Sequence, residues 1–164
     1  MIKSILRMVL ILGMIAVACG SREQAKQSDT TDFTLYSIDG VEYTLSEFKG
    51  QVVIIDFWAT WCPPCRNSIP VFIKLYQKYH EQGFTILGIS LDNDEQDLRD
   101  YSKQMKIPYP VLIGNKEIAK TYQVSGIPKT IFLDKQGTVR KTQVGFAPEL
   151  EAQFDQFVDS LIKE

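Results

Sequence analysis

The stretch Gln51 to Trp58, QVVIIDFW, is apolar after its first residue everywhere except Asp56 and shows no apolar–polar alternation. A strand with one wet face alternates, so an unbroken run describes a strand buried on both faces. Such a strand needs cover above and below, which restricts the chain to a layered α/β domain. Phe84–Ser90, FTILGIS, reads the same way. Between the two runs the period changes. From Pro63 to Tyr79, residues Ile69, Phe72, Ile73 and Tyr76 fall at i, i+3, i+4 and i+7, one face of a helix. Pro70 lies inside that helix and is expected to kink it.

Strand and helix signals keep alternating through the rest of a domain placed at residues 33–164. DFTLYSIDGVEYTLSEFKG predicts a short hairpin around Asp39-Gly40 and a helical turn near Ser46. DEQDLRDYSKQM predicts an amphipathic helix with Leu98, Tyr101 and Met105 inward, and YPVLIG a short strand near Val111. KEIAKTY predicts a short helix, and IFLDKQGTVRKTQV a hairpin turning at Lys135 to Gly137. The segment from Glu149 to Ile162 sets Leu150, Phe154, Phe157, Val158 and Leu161 on one stripe, a closing helix.

The N-terminus reads differently. Lys3 and Arg7 precede an apolar run, Met8 to Ala18, that is far below the roughly 20 residues of a membrane span, so residues 1–18 are expected to be a signal peptide. AVAC resembles a bacterial lipobox, with Ala16 where leucine is more frequent. Cys19 is then the lipidated N-terminus, and a soluble form cut near Ala18 is the alternative. Two or more acyl chains hold a protein on a membrane stably. Residues 20–32 lack aromatic and branched aliphatic side chains and read, with Cys19, as a flexible tether of reach on the order of 20 Å.

Eighteen basic against 20 acidic residues give a net charge of −2, which offers nucleic acid no basic surface. The chain has one histidine, His80, read as a surface residue, and three cysteines. A structural zinc site wants four Cys or His ligands in paired spacings, so no metal and no cofactor is expected.

WCPPC, residues 61–65, is compatible by spacing with a metal clasp, a structural staple or a redox pair. Its position at a junction of buried strand and helix favours the last. Unpaired helix N–H groups and the positive end of the dipole face the first cysteine there. A thiol of pKa ~8.5 is only about 3% thiolate at pH 7, and lowering it by ~2 units makes it mostly thiolate. Cys62 is the expected nucleophile. Pro63 suits the first helical turn. Cys65, about one turn further in, is the less exposed partner that resolves a mixed disulfide. A staple closing so short a loop would remove little chain entropy.

VVIIDFWATWCPPC followed by GIPKTIFLDKQG resembles the thioredoxin superfamily, and the leader with the extra helix-strand segment near residues 94–112 is similar to its membrane-tethered ResA/TlpA branch. The resemblance spans Phe33 to Ile162. It implies a thioredoxin-like fold: a central mixed β-sheet flanked by helices, with an N-terminal hairpin and the helix-strand insert. It also implies Cys62 as attacking thiol, Cys65 as resolving thiol and Pro128 as a cis-proline facing the pair. A cis bond there would leave the Ile127 backbone free to pair with an incoming peptide. Asp56 resembles the buried acid of thioredoxins. Burial would raise its pKa and let it exchange a proton with Cys65. Trp58 is expected in the core and Trp61 on the docking surface. Arg66 is expected either to favour thiolate or to remain a solvated charge.

The expected function is an extracytoplasmic thiol-disulfide reductase anchored through Cys19. The resemblance implies exported cysteine-containing proteins as partners, apocytochromes c among them, and a membrane thiol-disulfide electron donor. A peroxiredoxin-like peroxidase is one rival. Such enzymes use a Pro-x-x-x-Thr-x-x-Cys context, whereas here Thr60 stands two residues before Cys62 and the upstream proline is absent. A non-catalytic thioredoxin-fold binding lipoprotein is the other.

Overall fold

A computed structural model describes residues 31–164. The readings of residues 1–18 and of Cys19 fall outside that range. The chain forms β1 (Thr34–Tyr36), β2 (Glu42–Thr44), a 3-10 turn (Leu45–Phe48) and β3 (Val52–Trp58), followed by α1 (Pro63–Tyr79) and β4 (Phe84–Ser90). Then come α2 (Glu95–Met105), β5 (Val111–Ile113), α3 (Lys116–Thr121), β6 (Lys129–Leu133), β7 (Val139–Val144) and α4 (Leu150–Lys163). This is the mixed α/β thioredoxin-like architecture that the sequence implied.

Five strands lie in the order β5-β4-β3-β6-β7, with β3 parallel to β4 and antiparallel to β6. All seven residues of β3 and all seven of β4 are buried, which explains their missing alternation. Val53, Ile55 and Phe57 face one core with Leu87, Ile89, Ile131 and Leu133. Val52 and Ile54 face the opposite core with Phe72, Phe132, Phe154 and Val158 from β6, α1 and α4. A third cluster sits at the end of the sheet that carries the cysteines and joins Trp58, Cys62, Cys65 and Ile69 to Leu98 and Val111.

β1 and β2 form the expected hairpin, which docks on the far edge of the sheet through the Ile38 N–H to Val111 carbonyl bond and a bridge between Ser37 and Leu112. The helix-strand insert supplies α2 and the edge strand β5. Thr31 and Asp32, the last residues of the segment read as tether, bond to the domain. Asp32 Oδ1 accepts from Ser46 N–H at 2.9 Å, and the Tyr122 hydroxyl donates to the Thr31 carbonyl. α1 continues through Pro70, which is exposed on the outer side of the helix. A carbonyl freed by proline on that side is open to water, which lowers the cost of the missing bond. His80 is exposed and stacks on Tyr76.

Candidate active site

The β3–α1 junction places the two cysteines. Cys62 is the N-cap of α1, with φ −94° and ψ 107°, and its Sγ accepts from the Cys65 N–H at 3.3 Å. Prolines fill the first two helical positions, so neither supplies an amide proton. The first helix N–H available to the cap is therefore Cys65's, and it points at Cys62 sulfur. Cys62 and Cys65 are joined in a disulfide with their Cα atoms 5.3 Å apart. Cys62 is 4% exposed and Cys65 is fully buried, so an outside sulfur can reach only the first.

Ile127-Pro128 is the cis peptide in the structure, as the resemblance implied. The Ile127 carbonyl oxygen lies 3.7 Å from Cys62 Sγ. In the disulfide that sulfur carries no proton and the approach is a contact. In the dithiol the same oxygen can accept from the Cys62 thiol. Pro128 is buried, its carbonyl accepts from Gly145 N–H, and half-buried Ile127 precedes the β6 ladder.

Asp56 sits in the middle of β3 and is 1% exposed. Burial raises its carboxyl pKa and the Thr130 hydroxyl, donating to Oδ1 at 3.0 Å, lowers it by less, so that it stands at about 7. Its register partners are Thr130 on β6 and Gly88 on β4. A side chain at Gly88 would be crowded: a Cβ there would stand 3.2 Å from Tyr109 Cε2 and 3.3 Å from Trp58 Nε1. Tyr109 thus occupies the space beside the acid. Its own hydroxyl pKa is raised by burial first and by the Asp56 charge second.

Trp58 is buried and meets Tyr101 of α2 at 5.8 Å between ring centroids. The Arg66 guanidinium lies 5.8 Å above the Tyr101 ring on the exposed side of α1. Trp61 is 64% exposed beside the cysteines. The turn that carries it is fastened by Asp92, whose carboxylate accepts from Thr60 N–H and from Thr60 Oγ1. Thr130, Tyr109 and Asp92 are site residues that sequence reasoning passed over. Each comes from a distant strand or loop whose register no local pattern specifies. Among the described residues no group of three or more His, Cys, Asp or Glu side chains is placed to hold a metal.

An N-cap cysteine, a buried cysteine bonded to it and a cis-proline beside them on this sheet define a thiol-disulfide oxidoreductase with a thioredoxin-like fold. The chain belongs to the AhpC/TSA family, whose model matches residues 27–142. It is 32% identical over 142 residues to the thiol-disulfide oxidoreductase ResA of Bacillus cereus, covering 80% of this chain and 82% of that one. The sporulation thiol-disulfide oxidoreductase A of Bacillus subtilis is 29% identical, with 84% and 86% covered. Among solved structures, a thiol:disulfide interchange protein of the thioredoxin family from Chlorobium tepidum superposes with a TM-score of 0.77 at 29% identity, covering 84% of this chain and 98% of that one. The pneumococcal exposed lipoprotein thioredoxin of Streptococcus pneumoniae gives 0.68 at 30% identity, with 80% and 100% covered.

Proposed function

We propose that this oxidoreductase works outside the cytoplasm, held to a membrane through Cys19, and reduces disulfides of exported proteins, apocytochromes c among them. The observation that carries the reading is the arrangement of three groups. Cys62 sits at the helix cap within reach of solvent, Cys65 lies buried behind it, and Asp56 is a buried carboxyl whose pKa stands near neutrality. In the reduced protein the Cys62 thiolate attacks one sulfur of a target disulfide and expels the other as a thiolate. The mixed disulfide so formed is then attacked by Cys65 sulfur, whose proton passes to the Asp56 carboxylate. The second target sulfur leaves reduced, and the Cys62–Cys65 disulfide remains. Two electrons have moved to the target, and a membrane thiol donor returns them.

Trp61 and the Ile127 backbone form the face on which the target's polypeptide would dock. The likeness to an exposed lipoprotein thioredoxin supports the membrane address, as do the apolar run Met8 to Ala18 and Cys19 behind it. The peroxidase alternative is weakened by Thr60, whose hydroxyl is committed to Asp92 at 2.6 Å.

Trapping tests the proposal most directly. A Cys65→Ser variant expressed with its own leader should accumulate Cys62 in mixed disulfides with exported proteins, identifiable by mass spectrometry. Equilibration of the purified protein with glutathione gives the direction of electron flow. A potential near that of strong periplasmic oxidants, about −120 mV, would exclude a reductant. Hydrogen peroxide turnover faster than disulfide reduction would favour the peroxidase instead.

A further inference from the structure

β3 and β4 stay paired to their ends, where the Leu91 N–H bonds the Trp58 carbonyl at 2.8 Å. Beyond that point the chain of β3 enters the turn Ala59–Cys62, closed by the Cys62 N–H on the Ala59 carbonyl at 3.2 Å. Thr60, inside the turn, has no backbone acceptor for its own N–H. The half-buried Asp92 supplies one from the loop that follows β4. Both its oxygens accept the Thr60 N–H, at 3.1 and 3.0 Å, and Oδ1 also accepts Thr60 Oγ1 at 2.6 Å. Asp92 is itself fixed from below. Ser90 Oγ, 1% exposed, donates to Oδ2 at 2.8 Å and accepts the Asp92 N–H at 3.0 Å.

We propose that Asp92 is a positioning residue of the redox site: it clamps the turn that carries Trp61 and Cys62, and so holds Cys62 sulfur at the helix cap and beside the Ile127 carbonyl. The inference rests on Cys62 being the attacking thiol. It follows from the direction of the bonds. The turn is tied at one end by β3 and at the other by α1, and between them Asp92 is the side chain that grips its backbone. Charge-assisted bonds of this kind are about twice as strong as neutral ones and hold a backbone more rigidly than water does. In-line attack of one sulfur on another depends on geometry, and misplacement by about 1 Å can lower such a rate by about 100-fold.

The position and the charge of Asp92 act in opposite directions on Cys62. Loss of the clamp loosens the cap and raises the thiol pKa. Loss of a nearby negative charge lowers it. The test therefore reads the pH dependence of Cys62 alkylation together with the reduction of insulin disulfides by the purified protein, re-reduced with dithiothreitol. For Asp92→Ala we expect about a tenfold fall in kcat/KM, carried by kcat, and an alkylation midpoint displaced to higher pH. Asp92→Asn keeps one acceptor oxygen and should recover at least a third of the activity. Wild-type kcat/KM and an unmoved midpoint in a folded Asp92→Ala would overturn the proposal, as would a midpoint displaced to lower pH. Should the alanine variant not fold, Thr60→Val deletes only the 2.6 Å bond. It should lose about threefold in kcat/KM with the midpoint moving the same way, and wild-type behaviour would again overturn the clamp. Cys62→Ser keeps the two ideas apart. Activity surviving in that variant defeats the thiol reading itself, while its loss alongside a fully active Asp92→Ala defeats the clamp alone.

Discussion

Thr130 Oγ1 donates a hydrogen bond to Asp56 Oδ1 at 3.0 Å across the antiparallel β3–β6 ladder. The folded carboxyl holds its proton up to about pH 7, whereas in the unfolded chain it releases it near its ordinary value of 3.8. Between these values the folded state binds more protons, so the contribution of Asp56 to stability is full below about pH 4, declines as pH rises to about 7, and is a constant penalty above. Asp56→Asn keeps an acceptor for Thr130 and carries no charge. It should stabilise the domain by roughly 2–4 kcal/mol at pH 8 and flatten the slope from pH 4 to 7, as urea unfolding at several pH values will report. On the proposed role of Asp56 as acceptor of the Cys65 proton, the same variant should lose about tenfold in kcat near pH 7.

Thr130→Val removes the bond that lowers the carboxyl pKa and leaves the burial that raises it. The ionisation of Asp56 should then move above 7, and the acidic limb of the pH–rate profile should move with it. An unmoved limb would separate Asp56 from the rate-determining proton transfer.

After reduction the two thiols should differ sharply in reactivity. Cys62 is partly open at the helix cap, and Cys65 is sealed under it. Brief treatment with iodoacetamide at pH 7 should label Cys62 at least tenfold faster than Cys65. Peptide mass spectrometry measures the ratio.

Trp61 is 64% exposed and contributes little to the core. Trp61→Ala should leave the melting temperature within about 2 °C of wild type. On its proposed docking role, KM for a protein disulfide should rise several-fold, while the rate with a small aliphatic disulfide should stay within about twofold.

Gly114 follows β5 where the chain crosses the end of β4. A Cβ there would overlap the Ser90 carbonyl oxygen and stand 2.8 Å from Ile89 Cγ2. The neighbours are backbone and fully buried side chain, which cannot step aside cheaply. Gly114→Ala should therefore cost about 2–3 kcal/mol and lower the melting temperature by about 5 °C or more.

Much of this architecture was legible in the sequence because its signals are local. β3 and β4 announced themselves by unbroken apolar runs, and α1 by its stripe and by Pro63 at its start. Cys62, Cys65 and Pro128 sit in short motifs, and Asp56 stood out as a charge inside an apolar run. What stayed hidden depends on register. That Thr130 faces Asp56, that Gly88 opens a space filled by Tyr109, and that Asp92 reaches Thr60 all follow from how strands far apart in the chain align. The period of a strand says which face a residue is on, not what lies across from it. Thr60 shows the difference well. In sequence it was weighed only for its distance from Cys62, and its role is fixed by a carboxylate 32 residues later.

The hairpin's attachment at Val111 and Leu112 bears on how the molecule behaves in company. A sheet ends in two rows of unpaired backbone groups, each an invitation to another chain. Here β1 and β2 lie along the β5 side, which leaves Val139–Val144 as the margin open to a stranger among the described residues. That margin carries Arg140 and Lys141, and such charges discourage self-association. Crowding of many copies should therefore leave the domain discrete, even though the far end of this margin, at Val144 and Gly145, runs beside Pro128.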